Sequence, residues 1–256
     1  MGGTRTGGSD TCTYYGSMPG VLALNGGDEF RPGNEPQDRQ LVSAAGRGPA
    51  YVVATAARRQ RPELAVATAR DWFHRLGLEL AELPVYTRSD ANSAELAGRA
   101  AQAGFIYLTG GDPGLLVRTL RASAVWTAMT RGWLSGAVLA GSSAGAMALC
   151  EWSLVMARWP RHEQRRAVPA LGLVPRTVVL PHYERMGSRW TVDDPPEALT
   201  LLGLDERTAA VWNAEGWHAA GAGGVTVIGG GETRRFEPGR ACEGIPEPVL
   251  LERREG

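Results

Sequence analysis

The sequence predicts an α/β protein: a doubly wound, mostly parallel sheet with helices on both faces and antiparallel strands near the C-terminus. Three observations carry this. Short apolar runs alternate with longer segments of helical period through about residue 150. Several of the runs end in glycine-rich turns, as at Asn25-Gly26-Gly27 and Thr109-Gly110-Gly111. Beyond residue 207, short β-rich runs follow one another with only small turns between them, the pattern of hairpins.

Taken in order, Val21 to Leu24 is the first strand. A strand feeding a glycine pair marks the carboxyl end of a parallel strand, where ligands of open α/β sheets bind. Asn34 and Glu35 cap a helix running through Ala45, and Tyr51 to Ala54 is a second buried strand. Arg61 to Leu76 is helical, with Pro62 in its first turn and Gly77 closing it. Leu78 to Val85 carries the third strand and Asn92 to Gln102 the third helix. His74, on the second helix, has no partner at metal-ligand spacing. Phe105 to Leu108 is a strand running into Thr109-Gly110-Gly111-Asp112-Pro113, and one helix follows from Leu115 to Met129.

The apolar run Gly136 to Ala140 then ends in Gly141-Ser142-Ser143-Ala144-Gly145, and a helix starts at Met147. Glu151 to Ala170 is too polar for a core strand and reads as a loop on a site rim. Leu171 to Val174 is a short apolar piece, and Thr177 to Leu180 is a β-branched strand ending at Pro181-His182-Tyr183. Pro195 to Gly203 reads as a short helix. Thr208–Trp212, Trp217–Ala219, Val225–Ile228 and Thr233–Phe236 read as antiparallel strands finishing the sheet. One domain over residues 20–238 is expected, with a flexible tail at 1–19 and a frayed Pro/Glu-rich tail at 239–256.

Composition narrows the function. The chain has 256 residues, 43% of them hydrophobic and 21% charged, which suits a folded core and not a disordered segment. Basic and acidic residues balance at 27 each, so net charge offers nothing to a nucleic acid or an acidic membrane. Cys12, Cys150 and Cys242 are too scattered for a metal site or a disulfide framework. No apolar run is long enough to cross a membrane, and the N-terminal stretch lacks the pattern of a signal peptide. A cytoplasmic protein is the expectation. Met1-Gly2 with Thr6 fits only the minimal myristoylation pattern.

The chemistry centres on Ser143. Gly-x-Ser-x-Gly at a strand-to-helix turn is the pattern of a nucleophile elbow, and Ser143 rather than Ser142 occupies its middle. A serine hydroxyl needs a base, and His182 is the histidine at a predicted strand end. An oxyanion hole needs two converging donors. The backbone N–H groups of Gly111 and Ala144 can supply them. Asp112 in the same turn is a substrate-binding candidate, with helix capping as its simpler role. Arg185 and Arg189 follow His182 closely, and a guanidinium fork matches a substrate carboxylate. For the acid that would orient His182, Glu151 and Glu163 lie between serine and histidine, and Asp193 and Asp194 follow.

Four stretches together resemble one family. They are Leu24-Asn25-Gly26-Gly27 with its following acidic pair, Tyr107-Leu108-Thr109-Gly110-Gly111-Asp112, Ala140 to Ala146, and Gly203-Leu204-Asp205-Glu206-Arg207-Thr208-Ala209. In this order they resemble the serine peptidases that include cyanophycinases and dipeptidase E, the aspartyl dipeptidases. That resemblance implies a fold related to class I glutamine amidotransferases. It implies Ser143 as nucleophile, His182 as base, and Gly111 and Ala144 as oxyanion donors. Glu163 lies nearest the place the family's acid takes after the nucleophile. Pro181-His182 resembles the dipeptidase branch more than the Asp-Gln-His-Phe run of cyanophycinases. The implied activity is hydrolysis of a small peptide or isopeptide bond beside an aspartyl residue, with no metal and no cofactor. The implied partner is that peptide, with no nucleic acid or membrane, and any self-association is expected as a homodimer. The alternative is an inactive family member that binds a peptide or small molecule.

Overall fold

The computed structural model describes residues 18–156, 165–190 and 198–249. The expected alternation is present in the first half. It runs β1 (Leu22–Asn25), α1 (Glu35–Ala44), β2 (Ala50–Val53), α2 (Pro62–Arg75), β3 (Leu80–Glu82), α3 (Arg88–Ala91), α4 (Ala94–Ala101) and β4 (Phe105–Leu108). It continues with α5 (Pro113–Leu120), α6 (Ala124–Leu134), β5 (Val138–Ser142) and α7 (Ala144–Leu149). The single helix expected over Leu115–Met129 is two helices. Ala122 takes a positive φ of 52°, and the Ser123 hydroxyl accepts the Trp126 N–H at 3.1 Å to start the second. Apolar periodicity hides this break because both helices bury their faces in the same core.

The second half adds β6 (Cys150–Met156), β7 (Arg165–Pro169), β8 (Val174–Pro181), α8 (Tyr183–Met186) and β9 (Thr200–Leu204). It ends with β10 (Thr208–Asn213), β11 (Gly216–Gly221), β12 (Val225–Gly229) and β13 (Glu232–Phe236). The strands form two sheets where one was expected. The first has the order β11-β10-β1-β5-β4-β2-β3, parallel from β3 to β1 and antiparallel at β10 and β11. The second has the order β13-β12-β9-β8-β6-β7, with β6, β8 and β9 parallel.

Two expectations are corrected here. Most of the rim loop expected over Glu151–Ala170 is the antiparallel pair β6–β7 at the edge of the second sheet. Edge strands are covered on fewer sides, so β7 carries exposed Arg166 and Pro169 and reads as polar. The helix expected over Pro195–Gly203 is strand β9 from Thr200 on, and 191–197 lie outside the described residues. Gly203 is no helix stop: a Cβ there would meet the Tyr183 ring at 2.6 Å.

Side-chain alternation explains the layering. Ala23, Val52, Phe105, Tyr107 and Ala140 face α1 and α2, where Leu41, Trp72 and Phe73 close one core. Leu22, Leu24, Val53, Ile106, Leu108 and Leu139 face α4 to α7 and the second sheet. Helix α7 lies against strands of both sheets, and all six of its residues are buried. A helix apolar on every side fits only such a place. Truncating Leu149 there would cost about 2–5 kcal/mol.

Residues 240–249 are packed, where a frayed tail over 239–256 was expected; 250–256 lie outside the described residues. Cys242 and Ile245 are buried, the Trp217 Nε1–H donates to the Pro246 carbonyl at 2.9 Å, and the Val249 N–H donates to Leu173 at 2.8 Å. The mixed, mostly parallel sheet flanked by helices is the class I glutamine amidotransferase-like arrangement.

Candidate active site

Carboxyl ends of strands from both sheets meet at one place. From the first sheet come the turns after β1, β4 and β5; from the second come those after β8 and β9. Ser143, between β5 and α7, has φ 46° and ψ −107°. A non-glycine residue at positive φ is strained and needs its surroundings to hold it. Its N–H donates to the Asn25 carbonyl at 2.9 Å, and its own carbonyl accepts the Met147 N–H at 2.9 Å. The flanking glycines have a steric reason. A Cβ on Gly141 would lie 2.5 Å from the Gly145 carbonyl carbon, and one on Gly145 would lie 2.3 Å from the Leu108 oxygen.

His182 leaves the end of β8, also at positive φ (51°), and its N–H donates to the Gly26 carbonyl at 2.8 Å. Its ring packs where the side chain of residue 27 would be: a Cβ on Gly27 would fall 2.3 Å from Cε1. The first glycine turn therefore makes room for the imidazole. Nε2 lies 3.3 Å from Ser143 Oγ. Nδ1 lies 2.8 Å from Glu206 Oε1, and a carboxylate oxygen there fixes the tautomer with the proton on Nδ1 and a lone pair toward Ser143. The Glu206 carboxylate is only 16% exposed, and Arg185 Nη1 donates to the same oxygen at 2.8 Å.

The expected partner of His182 was Glu163, which lies outside the described residues, as do Asp193 and Asp194. The position on Nδ1 is held by Glu206. Glu151 is elsewhere, accepting the Arg176 N–H at 2.6 Å. Glu206 stands in the Gly203–Ala209 run, just past a strand end. That run carries the family resemblance, but what sets Glu206 beside His182 is the pairing of β8 with β9, which the sequence does not display.

Gly111, at φ 135°, is pressed against a short helical turn, and a Cβ would lie 2.3 Å from the Ala56 carbonyl oxygen. Among the described residues the Gly111 and Ala144 N–H groups donate to no turn, loop or cap carbonyl. Glu29, the second of the acidic pair after Gly27, joins the two turns. Its Oε1 accepts the Gly110 N–H at 2.9 Å and its Oε2 accepts the Ser142 hydroxyl at 3.0 Å. Asp112 is a helix cap, accepting the Leu115 N–H at 2.9 Å, with Arg59 Nη1 at 3.9 Å from its other oxygen. Ser143, His182, Glu206, Gly111, Asp112 and Arg189 all line one cleft of ≈ 1280 Å³.

The sequence model of Peptidase family S51 matches residues 22–218. Cyanophycinase of Trichormus variabilis (strain ATCC 29413 / PCC 7937) is 28% identical over 226 residues, covering 84% of this chain and 75% of the relative. Cyanophycinase of Synechococcus elongatus is 26% identical over 218 residues, covering 81% and 67%. The crystal structure of a peptidase from an acI-B1 Actinobacterium superposes with a TM-score of 0.78 at 30% identity, covering 88% of this chain and 97% of that one. The chain belongs to peptidase family S51, a family of hydrolases that includes cyanophycinases and dipeptidase E-like enzymes.

Proposed function

We propose that this protein is a serine-type peptidase acting on a small peptide or isopeptide bond beside an aspartyl residue. The observation that carries the reading is the continuous line Ser143 Oγ–His182 Nε2–His182 Nδ1–Glu206 Oε1, with steps of 3.3 and 2.8 Å between side chains. His182 Nε2 takes the hydroxyl proton as Oγ attacks the carbonyl carbon. The carbonyl oxygen becomes an anion, which the N–H groups of Gly111 and Ala144 receive; removing one such donor costs about 10²–10³ in rate. The C–N bond then breaks, and the imidazolium gives its proton to the leaving amine. Water, deprotonated by the same nitrogen, cleaves the ester and restores Ser143. The Glu206 carboxylate faces the imidazolium from the Nδ1 side and balances its charge.

The aspartyl preference is supported by the cyanophycinase relatives and by Arg189 on the cleft wall. Arg185 acts differently from the expectation of a substrate clamp: its guanidinium holds Glu206. A fluorophosphonate probe tests the reading. Stoichiometric labelling at Ser143 is expected, with Ser143→Ala folded and its turnover lower by about 10⁴-fold or more. Full peptidase activity in that variant would sink the assignment.

A further inference from the structure

The cleft over Ser143 does not end there. It shares Gly114, Arg118, Val155 and Arg166 with a second hollow of ≈ 520 Å³, whose far wall is Arg121 and Pro169. The two form one continuous groove along α5, with its opposite wall on β6 and β7.

The charge of this groove is unlike that of the chain, which is neutral overall. Arg59, Arg118, Arg165, Arg166, Arg185 and Arg189 line the first part. Among the described residues only the Asp112 and Glu206 carboxylates oppose them, and both are engaged, one capping α5 and the other on His182 and Arg185. The second part has Arg118, Arg121 and Arg166 and, among the described residues, no carboxylate. Outside the groove some arginines are matched, as in Arg207–Asp28 and Arg235–Asp205, and others stand singly; what sets the groove apart is how many of them share one concave wall. Among the described residues, Arg118, Arg165, Arg166 and Arg189 form no ion pair. Arg165 stacks on Trp190 at 4.0 Å, and burial holds its pKa below the usual arginine range. Like charges gathered along a concave wall repel one another and focus a positive potential into the groove.

We infer that this groove is a subsite for carboxylates remote from the scissile bond, so that the preferred substrate is an acidic oligopeptide longer than a dipeptide. The inference rests on the proposed Ser143 chemistry for its point of origin. Helix α5 sets the scale. Arg118 lies five residues beyond Pro113, about 8 Å along the axis, and Arg121 about 12 Å. An extended chain covers those distances in about two to four residues. A side-chain carboxylate at that remove meets the forks of Arg118 and Arg166, and a basic residue there is repelled.

The test separates the subsite from the chemistry. Fluorescein-labelled tetra-aspartate and tetra-alanine are titrated against the full chain carrying Ser143→Ala, in which binding proceeds without turnover. Tetra-aspartate is expected to bind about tenfold or more tighter, with an advantage that shrinks as salt rises. Adding Arg118→Gln and Arg166→Gln is expected to reduce the advantage to about threefold or less, and lysine at both positions to restore part of it. Both side chains are exposed, so folding is not at stake, and a thermal melt checks it. Arg131→Gln, on an exposed site away from the groove, controls for net charge. Equal binding of the two peptides, or an advantage untouched by the double variant, overturns the inference. Hydrolysis of p-nitrophenyl acetate by the wild-type protein in excess of that by Ser143→Ala reports on Ser143 independently of the groove. Ester cleavage with equal peptide binding removes the subsite and leaves the peptidase reading intact. Selective binding with no reaction at Ser143 does the reverse.

Discussion

Replacing Glu206 by glutamine asks how much of the catalytic power depends on the carboxylate behind His182. In the resting site Nδ1 is 2.8 Å from Oε1, and the carboxylate is mostly buried. When His182 takes the serine proton, the imidazolium and carboxylate charges stand about 4 Å apart. At an effective dielectric of about 20 they attract by about 4 kcal/mol, equivalent to about 10³ in rate. Arg185 shares Oε1 and offsets part of this, but its side chain is 69% exposed and its charge is well screened. Glutamine removes the charge and, with its amide turned to Nδ1, favours the tautomer whose proton blocks Nε2. Both effects fall on the transition state. Glu206→Gln should therefore lose about 10²–10⁴ in kcat with little change in KM. The assay is steady-state hydrolysis of an aspartyl dipeptide, run beside the rate of fluorophosphonate labelling, which should fall in parallel. Glu163→Gln is the comparison. Activity of Glu206→Gln within about fivefold of wild type refutes the assignment, and a large loss in Glu163→Gln alone would move the role there.

Gly27→Ala should place a methyl against the imidazole and strain a backbone at φ 116°, lowering kcat about 10²-fold or more while circular dichroism still reports a folded protein. Glu29→Ala should cost about 10–100-fold in kcat, because it leaves the Gly110 N–H unpaired beside the oxyanion turn; Glu29→Gln should recover most of it, since the Ser142 hydroxyl can reverse and donate or accept. A distinct pH effect comes from Asp38, buried with one hydrogen bond from Trp72 and pushed up to about 7 by desolvation. Its folded pKa exceeds the unfolded value near 3.8, so the folded protein holds the extra proton. Stability should fall as pH rises from about 4 to 7, with a ceiling of about 4 kcal/mol, and Asp38→Asn should flatten that slope in urea titrations at pH 5 and pH 8.

The centre of the first sheet was legible because β1, β2, β4 and β5 are buried on both faces and read as uninterrupted apolar runs between helical periods, as in Phe105 to Leu108. The second sheet was legible in part: Thr177–Leu180, Val225–Ile228 and Thr233–Phe236 read as strands, while β6 and β7 did not. β7 is the edge strand with β6 beside it, and Cys150–Met156 mixes buried Ser153 and Leu154 with half-buried Glu151 and Trp152. A polar edge strand and a surface loop have the same composition; what separates them is a partner strand, and pairing is non-local. The same reason turned β9 into an expected helix, since Thr200 to Leu204 gains its strand form from register with β8. The packed C-terminal segment belongs with these, because two buried side chains, Cys242 and Ile245, anchor a stretch whose composition is otherwise that of a tail.

The site divides along the same line. Ser143 and His182 could be found one at a time, since each combines a reactive residue with a strand end. Glu206 could not, because its place depends on which strands are neighbours. In the second sheet β8 and β9 run parallel with Pro181 opposite Leu204, so the residues just past each strand, His182 and Glu206, emerge side by side. In the first sheet Asn25 lies opposite Ser142, which sets Gly26-Gly27 next to Ser143. The Gly26 carbonyl then ties the two sheets together by accepting the His182 N–H. Two registers and one cross-sheet hydrogen bond thus fix the line from serine to glutamate. A slip of one residue in either pairing would turn the paired side chains to the opposite face and break the line, so the buried alternation that specifies the registers also specifies the site.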